Sequence, residues 1–260
     1  MKSNLVRRLT PEEAELERKR VELGALEARL AERELDLNTL EAQLAAFERL
    51  YLRTVGPRYA ELDEVKAQIA EVLASLKPKD RTAQQNVSEA RRQAHESAQA
   101  TAAAKASNQP TEFKPPQDLK KLYRELAKRV HPDLATDDKD RARRSRIMAD
   151  VNLAYKEGNV ERLQTILAEW EGSPDSVEGA GVGVDLVRII RKIAQVQGRL
   201  GEIEANIARL KNSDLFRLLE RVDEARAQGR DLLLQMVAEL NRKIASAREH
   251  LQDLRAKADL

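Results

Sequence analysis

The stretch Asp118-Leu-Lys-Lys-Leu-Tyr-Arg-Glu-Leu-Ala-Lys-Arg-Val-His-Pro-Asp133 joins an amphipathic helix to a forced stop. At helical spacing, Leu119, Leu122, Tyr123, Leu126 and Val130 fall on one side. Lys121, Arg124 and Lys128 fall on the opposite side. One helix therefore offers a core face and a positive stripe. Pro132 cannot continue the helix, and it pushes His131 out of helical geometry. The tripeptide His131-Pro132-Asp133 is expected on an exposed turn.

A second helix is predicted over about 139–157. It buries Met148, Val151 and Tyr155 and carries Arg141, Arg143, Arg144 and Arg146 at its start. Laid antiparallel to the first, it makes a hairpin with the tripeptide at the tip. Leu122-Tyr123-Arg124-Glu125-Leu126-Ala127, then His131-Pro132-Asp133, then Asn152-Leu-Ala-Tyr155 together resemble the J-domain of the DnaJ family.

The resemblance covers residues 117–171 and implies a mechanism. A basic helix docks on an acidic surface of a DnaK-type ATPase chaperone, and the tripeptide triggers ATP hydrolysis there. By that resemblance Lys121, Arg124, Lys128 and Arg129 would supply docking charge, and His131, Pro132 and Asp133 the trigger. This sequence departs from the family pattern in three places. Phe113 is the one aromatic just ahead of Pro115-Pro116, where a Tyr-x-x-Leu-Gly first helix is usual. Val130 replaces an aromatic, and Leu134-Ala135 follow the tripeptide in place of a basic residue. Without the usual first helix, part of the hairpin's apolar face needs another cover. Val160–Trp170, with Leu163, Ile166, Leu167 and Trp170, is one candidate, and a piece of coiled coil is the other.

Outward from this module, the chain reads as long helices. Thr10-Pro11-Glu12-Glu13 is a helix start, with a capping hydroxyl, a first-turn proline and acids at the positive helix end. Leu16, Leu23, Leu30, Leu37, Leu44 and Tyr51 recur every seven residues, with Leu26, Leu40 and Phe47 in the second heptad position. That is a coiled-coil signature. Gly56-Pro57 breaks it, and Tyr59, Leu62, Val65, Ile69, Val72 and Leu76 follow. Residues 1–77 are therefore predicted as an antiparallel helical hairpin. Its longer first helix leaves a free seam, which points to a homodimer.

Residues 78–116 end in prolines, and their stretch 81–107, rich in Ala, Gln, Ser and Thr, has too few large apolar side chains to bury much surface; helical or not, it reads as a linker. Residues 172–183 read as a second linker. The glycines of Gly179-Ala-Gly-Val-Gly183 lack both the spacing and the preceding strand of a dinucleotide-binding turn. Residues 184–260 are predicted as a second antiparallel hairpin, with a break and new cap at Asn212-Ser213-Asp214. One face of its first helix carries Leu186, Ile190, Ile193, Leu200, Ile203, Ile207 and Leu210. The expected fold is all-α: elongated helical hairpins flanking a small J-domain-like module.

Composition agrees. Charged residues are 35% of the 260 and aromatics 3%, against about 25% charged in a typical soluble domain. That mixture suits exposed helices. A net charge of +2, from 46 basic and 44 acidic residues, does not suggest a general polyanion binder. Asp137, Asp138 and Asp140 precede the Arg141–Arg146 cluster and stacking aromatics are absent, so nucleic-acid binding is not favoured. With no cysteine, disulfides and thiolate zinc sites are excluded. His95 and His250 lie in charged or polar surroundings and read as solvated. His131 has no second ligand at metal spacing on its helix face. Trp170 and Met148 read as core residues.

The Met1–Thr10 segment has no apolar stretch of a secretory signal, and no apolar run approaches the roughly 18 residues of a membrane span. A cytoplasmic protein outside any membrane is expected. No paired carboxylates, phosphate loop or nucleophile constellation suggests an enzyme, and no cofactor is implied. The leading expectation is a co-chaperone whose coiled coils dimerise it or place it on a client or scaffold. The rival is a structural coiled-coil scaffold protein in which the J-like hairpin only packs or mediates protein–protein contact.

Overall fold

The computed structural model describes residues 10–107, 109–135, 137–171 and 182–258. Among them the fold is all-α. The helices are α1 (Pro11–Thr54), α2 (Gly56–Leu76), α3 (Arg81–Ala106), α4 (Gln117–Val130), α5 (Asp138–Lys156), α6 (Val160–Glu171), α7 (Val182–Lys211), α8 (Asp214–Ala227) and α9 (Leu232–Ala258). A 3-10 turn, Pro132–Leu134, lies between α4 and α5. None of these helices is long and apolar enough to cross a membrane. The predicted linker at 172–183 lies outside the described residues up to 181, and its last two residues open α7.

The chain divides into two compact units, each drawn from both halves of the sequence. Residues up to Ala42 and Lys114–Asn212 form the first; Gln43–Phe113 and Ser213–Leu260 form the second. The five consecutive segments expected from the sequence are thus replaced by two discontinuous units. α1 contributes to both.

In the first unit, α1 runs parallel to α7. Glu27 lies within electrostatic reach of Lys192, and seven residues further along both helices Glu34 binds Arg199. Leu23, Leu30 and Leu37 of α1 make one cluster with Ile193, Val196, Leu200 and Ile203 of α7. Each helix presents apolar residues at seven-residue intervals, as parallel helices need to keep a common seam. Burying each such side chain contributes about 1.5–3 kcal/mol. The seam that suggested a homodimer is therefore occupied within the chain. The exposed Ile190, expected on the apolar face of α7, faces away, and Val196 takes part instead.

α4, α5 and α6 pack on one another as a small three-helix module. Leu119, Tyr123, Leu126, Val130, Met148, Val151, Tyr155, Leu163 and Ile166 are buried. Both candidate covers of the hairpin are used. α6 supplies Leu163 and Ile166, and α1 accepts the two tyrosines from the other side through Asn38 and Thr39. Trp170 is half-buried rather than core, with the guanidiniums of Arg143 and Arg144 at 5.3 and 4.9 Å from its ring centre.

The second unit corrects two further expectations. Gly56-Pro57 does not turn α2 back along α1. One residue, Val55, separates the helices, and α2 packs chiefly on α3 and α9. Residues 81–106, expected as linker, are the helix α3, capped by the Asp80 carboxylate on the backbone N–H groups of Thr82 and Ala83 at 2.9 and 3.3 Å. α3 buries only Ala94, Thr101 and Ala104. Small side chains let it approach closely: a Cβ on Gly56 would stand 2.9 Å from Thr101 Oγ1. Ion pairs add to the contact, with Arg91 reaching Glu64 at 2.9 Å and Glu71 at 2.5 Å.

The predicted hairpin of 184–260 is also reassigned. The break at 212–213 is real, and Ser213 Oγ caps α8 by accepting from Phe216 N at 3.2 Å. But α7 belongs to the first unit, and the returning segment is two helices, α8 and α9, divided at Gly229.

Candidate partner-docking site

α4 forms as its pattern dictates. Leu119, Tyr123, Leu126 and Val130 point inward, while Lys121, Lys128 and Arg129 are exposed. Arg124, expected on the open face, is half-buried and bonds Glu32 of α1 at 2.6 Å. Arg129 pairs with Glu125 one turn back at 2.8 Å. The positive face is therefore partly answered by the protein's own carboxylates.

The helix stops at Val130 for the reason given by Pro132. His131 has φ −58° and ψ 133°, the extended geometry that a following proline imposes. Its ring then turns back on its own backbone. Asp133 N donates to His131 Nδ1 at 3.2 Å, so Nδ1 is the acceptor and Nε2 carries the hydrogen. The turn closes with Leu134 N donating to His131 O at 3.1 Å and Ala135 N to Pro132 O at 3.2 Å.

The expectation of an exposed tripeptide fails at its first residue. His131 is 2% exposed, and Pro132 and Asp133 are half-buried. His131 Nε2 faces Glu34 Oε1 of α1 at 3.3 Å. The same oxygen accepts from Arg199 Nε at 2.9 Å and Nη2 at 2.8 Å. Leu134 packs against the α1–α7 cluster, and its carbonyl accepts from Lys192 Nζ at 3.1 Å. The local rule that places a proline turn outside a helix says nothing about what packs over the turn, and here α1 and α7 do.

Burial alone would push the Glu34 carboxyl up. The hydrogen bond from His131 and the charge and hydrogen bonds of Arg199 outweigh it and hold the carboxyl below its ordinary value. Burial pushes the Tyr123 phenol well above its usual range, and the Glu34 charge adds to that. Tyr123 therefore stays a hydroxyl, donating to Asn152 Oδ1 at 2.8 Å while accepting from Asn38 Nδ2 at 2.8 Å. Its ring lies 4.7 Å from that of Tyr155, at 54°. Tyr155 shares a 2.7 Å hydrogen bond with Thr39.

No family model, curated protein or solved structure matches this chain. The resemblance to the J-domain rests on residues 122–127, 131–133 and 152–155 themselves. Among the described residues no group of three or more His, Asp or Glu side chains is placed to hold a metal ion.

Sequence reasoning missed Glu34, Asn38, Thr39 and Arg199. A signal exists for the charged pair. Glu34 lies four residues after Leu30, and Arg199 just before Leu200, which are the flanking heptad positions where paired helices exchange ion pairs. Finding it requires knowing that α7 is the partner of α1.

Proposed function

We propose that the chain is a co-chaperone of the J-domain kind. It docks on an acidic surface of a DnaK-type ATPase through Lys121, Lys128 and Arg129, and it stimulates ATP hydrolysis there through His131-Pro132-Asp133. The chain does no bond chemistry itself; the partner hydrolyses the nucleotide. In this reading it works in the cytoplasm, and its other helices position it on a client or scaffold or on a second copy.

The observation that carries the reading is a juxtaposition. An ordered His-Pro-Asp turn follows directly on a helix whose exposed face is basic, and Asn152 and Tyr155 of the next helix brace that helix through Tyr123. Exposed charge of this kind speeds encounter with an acidic partner, while a small contact keeps the complex transient.

A second reading is favoured by one observation, the burial of His131 with Arg124 tied to Glu32. In that reading the hairpin is a packing module of a structural scaffold. Single-turnover ATP hydrolysis by a DnaK-type chaperone separates the two. The co-chaperone reading expects stimulation that His131→Gln abolishes and that Lys121→Glu with Lys128→Glu weakens, more so at low salt. Stimulation that survives His131→Gln unchanged would sink it.

A further inference from the structure

Glu34 has no role in docking, yet it is the most enclosed carboxylate near the tripeptide. Its side chain is 4% exposed, against 33% for Arg199. An ionised group is taken out of water at a cost, and here two cationic or donor groups converge on one of its oxygens. His131 comes from the J-like hairpin, Arg199 from α7 and Glu34 from α1. The three elements meet at this carboxylate, and Leu134 and Lys192 repeat the same three-way contact alongside. A trigger residue that must touch a partner is thereby closed off by the chain's own helices.

We infer that α1 and α7 form an autoinhibitory latch over His131-Pro132-Asp133, with Glu34 joining His131 to Arg199. The inference rests on the co-chaperone reading. The latched state keeps the basic face of α4 available for encounter while the trigger is shut. Stimulation then requires the hairpin to lift from the α1–α7 seam, so it is limited by the population of the open form. Opening moves Leu134 off the seam and separates His131 from a charged carboxylate. A partner that binds only the open form shifts that balance.

The chain supplies its own controls for a test, because His95 and His250 are exposed. Carbethoxylation of the intact protein by diethyl pyrocarbonate, read by mass spectrometry, compares the three histidines. The latch expects His131 to react slower than His95 by about tenfold or more. Glu34→Arg and Arg199→Glu each place like charges at the contact and should bring His131 near the rate of His95. The double exchange restores an opposite pair and should protect His131 again. Circular dichroism confirms that each variant is folded. If a single variant unfolds, the wild-type comparison still decides.

Single-turnover ATP hydrolysis by a DnaK-type chaperone is measured on the same proteins. The latch expects stimulation to rise about tenfold in the opened variants, to fall back in the double exchange, and to vanish when His131→Gln is added. Wild-type His131 that reacts as fast as His95 overturns the latch. Equal stimulation by wild type and opened variants, lost in His131→Gln, overturns the latch and leaves the co-chaperone reading standing. Opened variants with reactive His131 that stimulate nothing overturn the co-chaperone reading, and the latch as its regulator with it.

Discussion

Glu34 joins three helical elements through one carboxylate, so its protonation is linked to the stability of the first unit. Its folded-state pKa lies below the ordinary value of 4.5. A depressed carboxylate contributes stability that is fully present above the unfolded value and is lost as pH falls through the folded one. Glu34→Gln keeps the shape and removes the charge. The melting temperature of wild type should exceed that of Glu34→Gln at pH 7, and the gap should close as pH drops below about 4.5. A gap that is constant from pH 7 to pH 3 would show that the charge contributes nothing. Beside it, Tyr123 and Tyr155 show how residue identity was legible and residue partnership was not. Their helical spacing marks them as inward-facing, but Asn38 and Thr39 lie more than eighty residues away in sequence, at separations of 85 and 116.

At the scale of elements, the boundaries were set by local chemistry and were mostly readable. Thr10 and Glu13 exchange side-chain bonds at the start of α1, with Glu13 N donating to Thr10 Oγ1 at 3.2 Å and Thr10 N to Glu13 Oε2 at 2.9 Å. Beyond Lys156, α5 is closed by Gly158, where φ is 71° and Asn159 N donates to Ala154 O at 2.9 Å. A Cβ at Gly158 meets nothing within 4 Å, so the glycine is needed for its backbone alone. Gly158→Ala should therefore destabilise by about 1–2 kcal/mol in chemical unfolding. Gly198 is also open to a Cβ but lies inside α7, so Gly198→Ala should stabilise by about 0.8–1 kcal/mol. Equal effects of one sign at both positions would contradict these assignments. The packing of α3 was missed. Its buried residues are Ala94, Thr101 and Ala104, and a search for large apolar side chains passes over a helix that packs through small ones.

For the whole molecule, both compact units take residues from either side of the 113–114 boundary. Cutting the chain into 1–113 and 114–260 divides the two apolar clusters that join its halves. In the first unit Leu23, Leu30 and Leu37 would lose Ile193, Val196, Leu200 and Ile203; in the second, Phe47, Val55 and Leu62 would lose Val222, Leu233, Leu240 and Ile244. Fragment 1–113, which loses its partners in both clusters, should not melt cooperatively alone, and mixing it with 114–260 should restore a cooperative transition. A fragment 1–113 that melts as sharply as the full chain would refute this. By itself the sequence determined most of the helix starts and stops, with caps such as Thr10 and Ser213, because periodicity and capping act over a few neighbouring residues. Only the tertiary structure decided which stripe meets which. The heptads of α1 state that a seam exists, and they are as compatible with a second copy as with α7. His131 shows the same limit. Pro132 dictates its backbone, but its exposure depends on Glu34 and Arg199, which are 97 and 68 residues away along the chain (131 − 34 and 199 − 131) and are brought there by the pairing of α1 with α7.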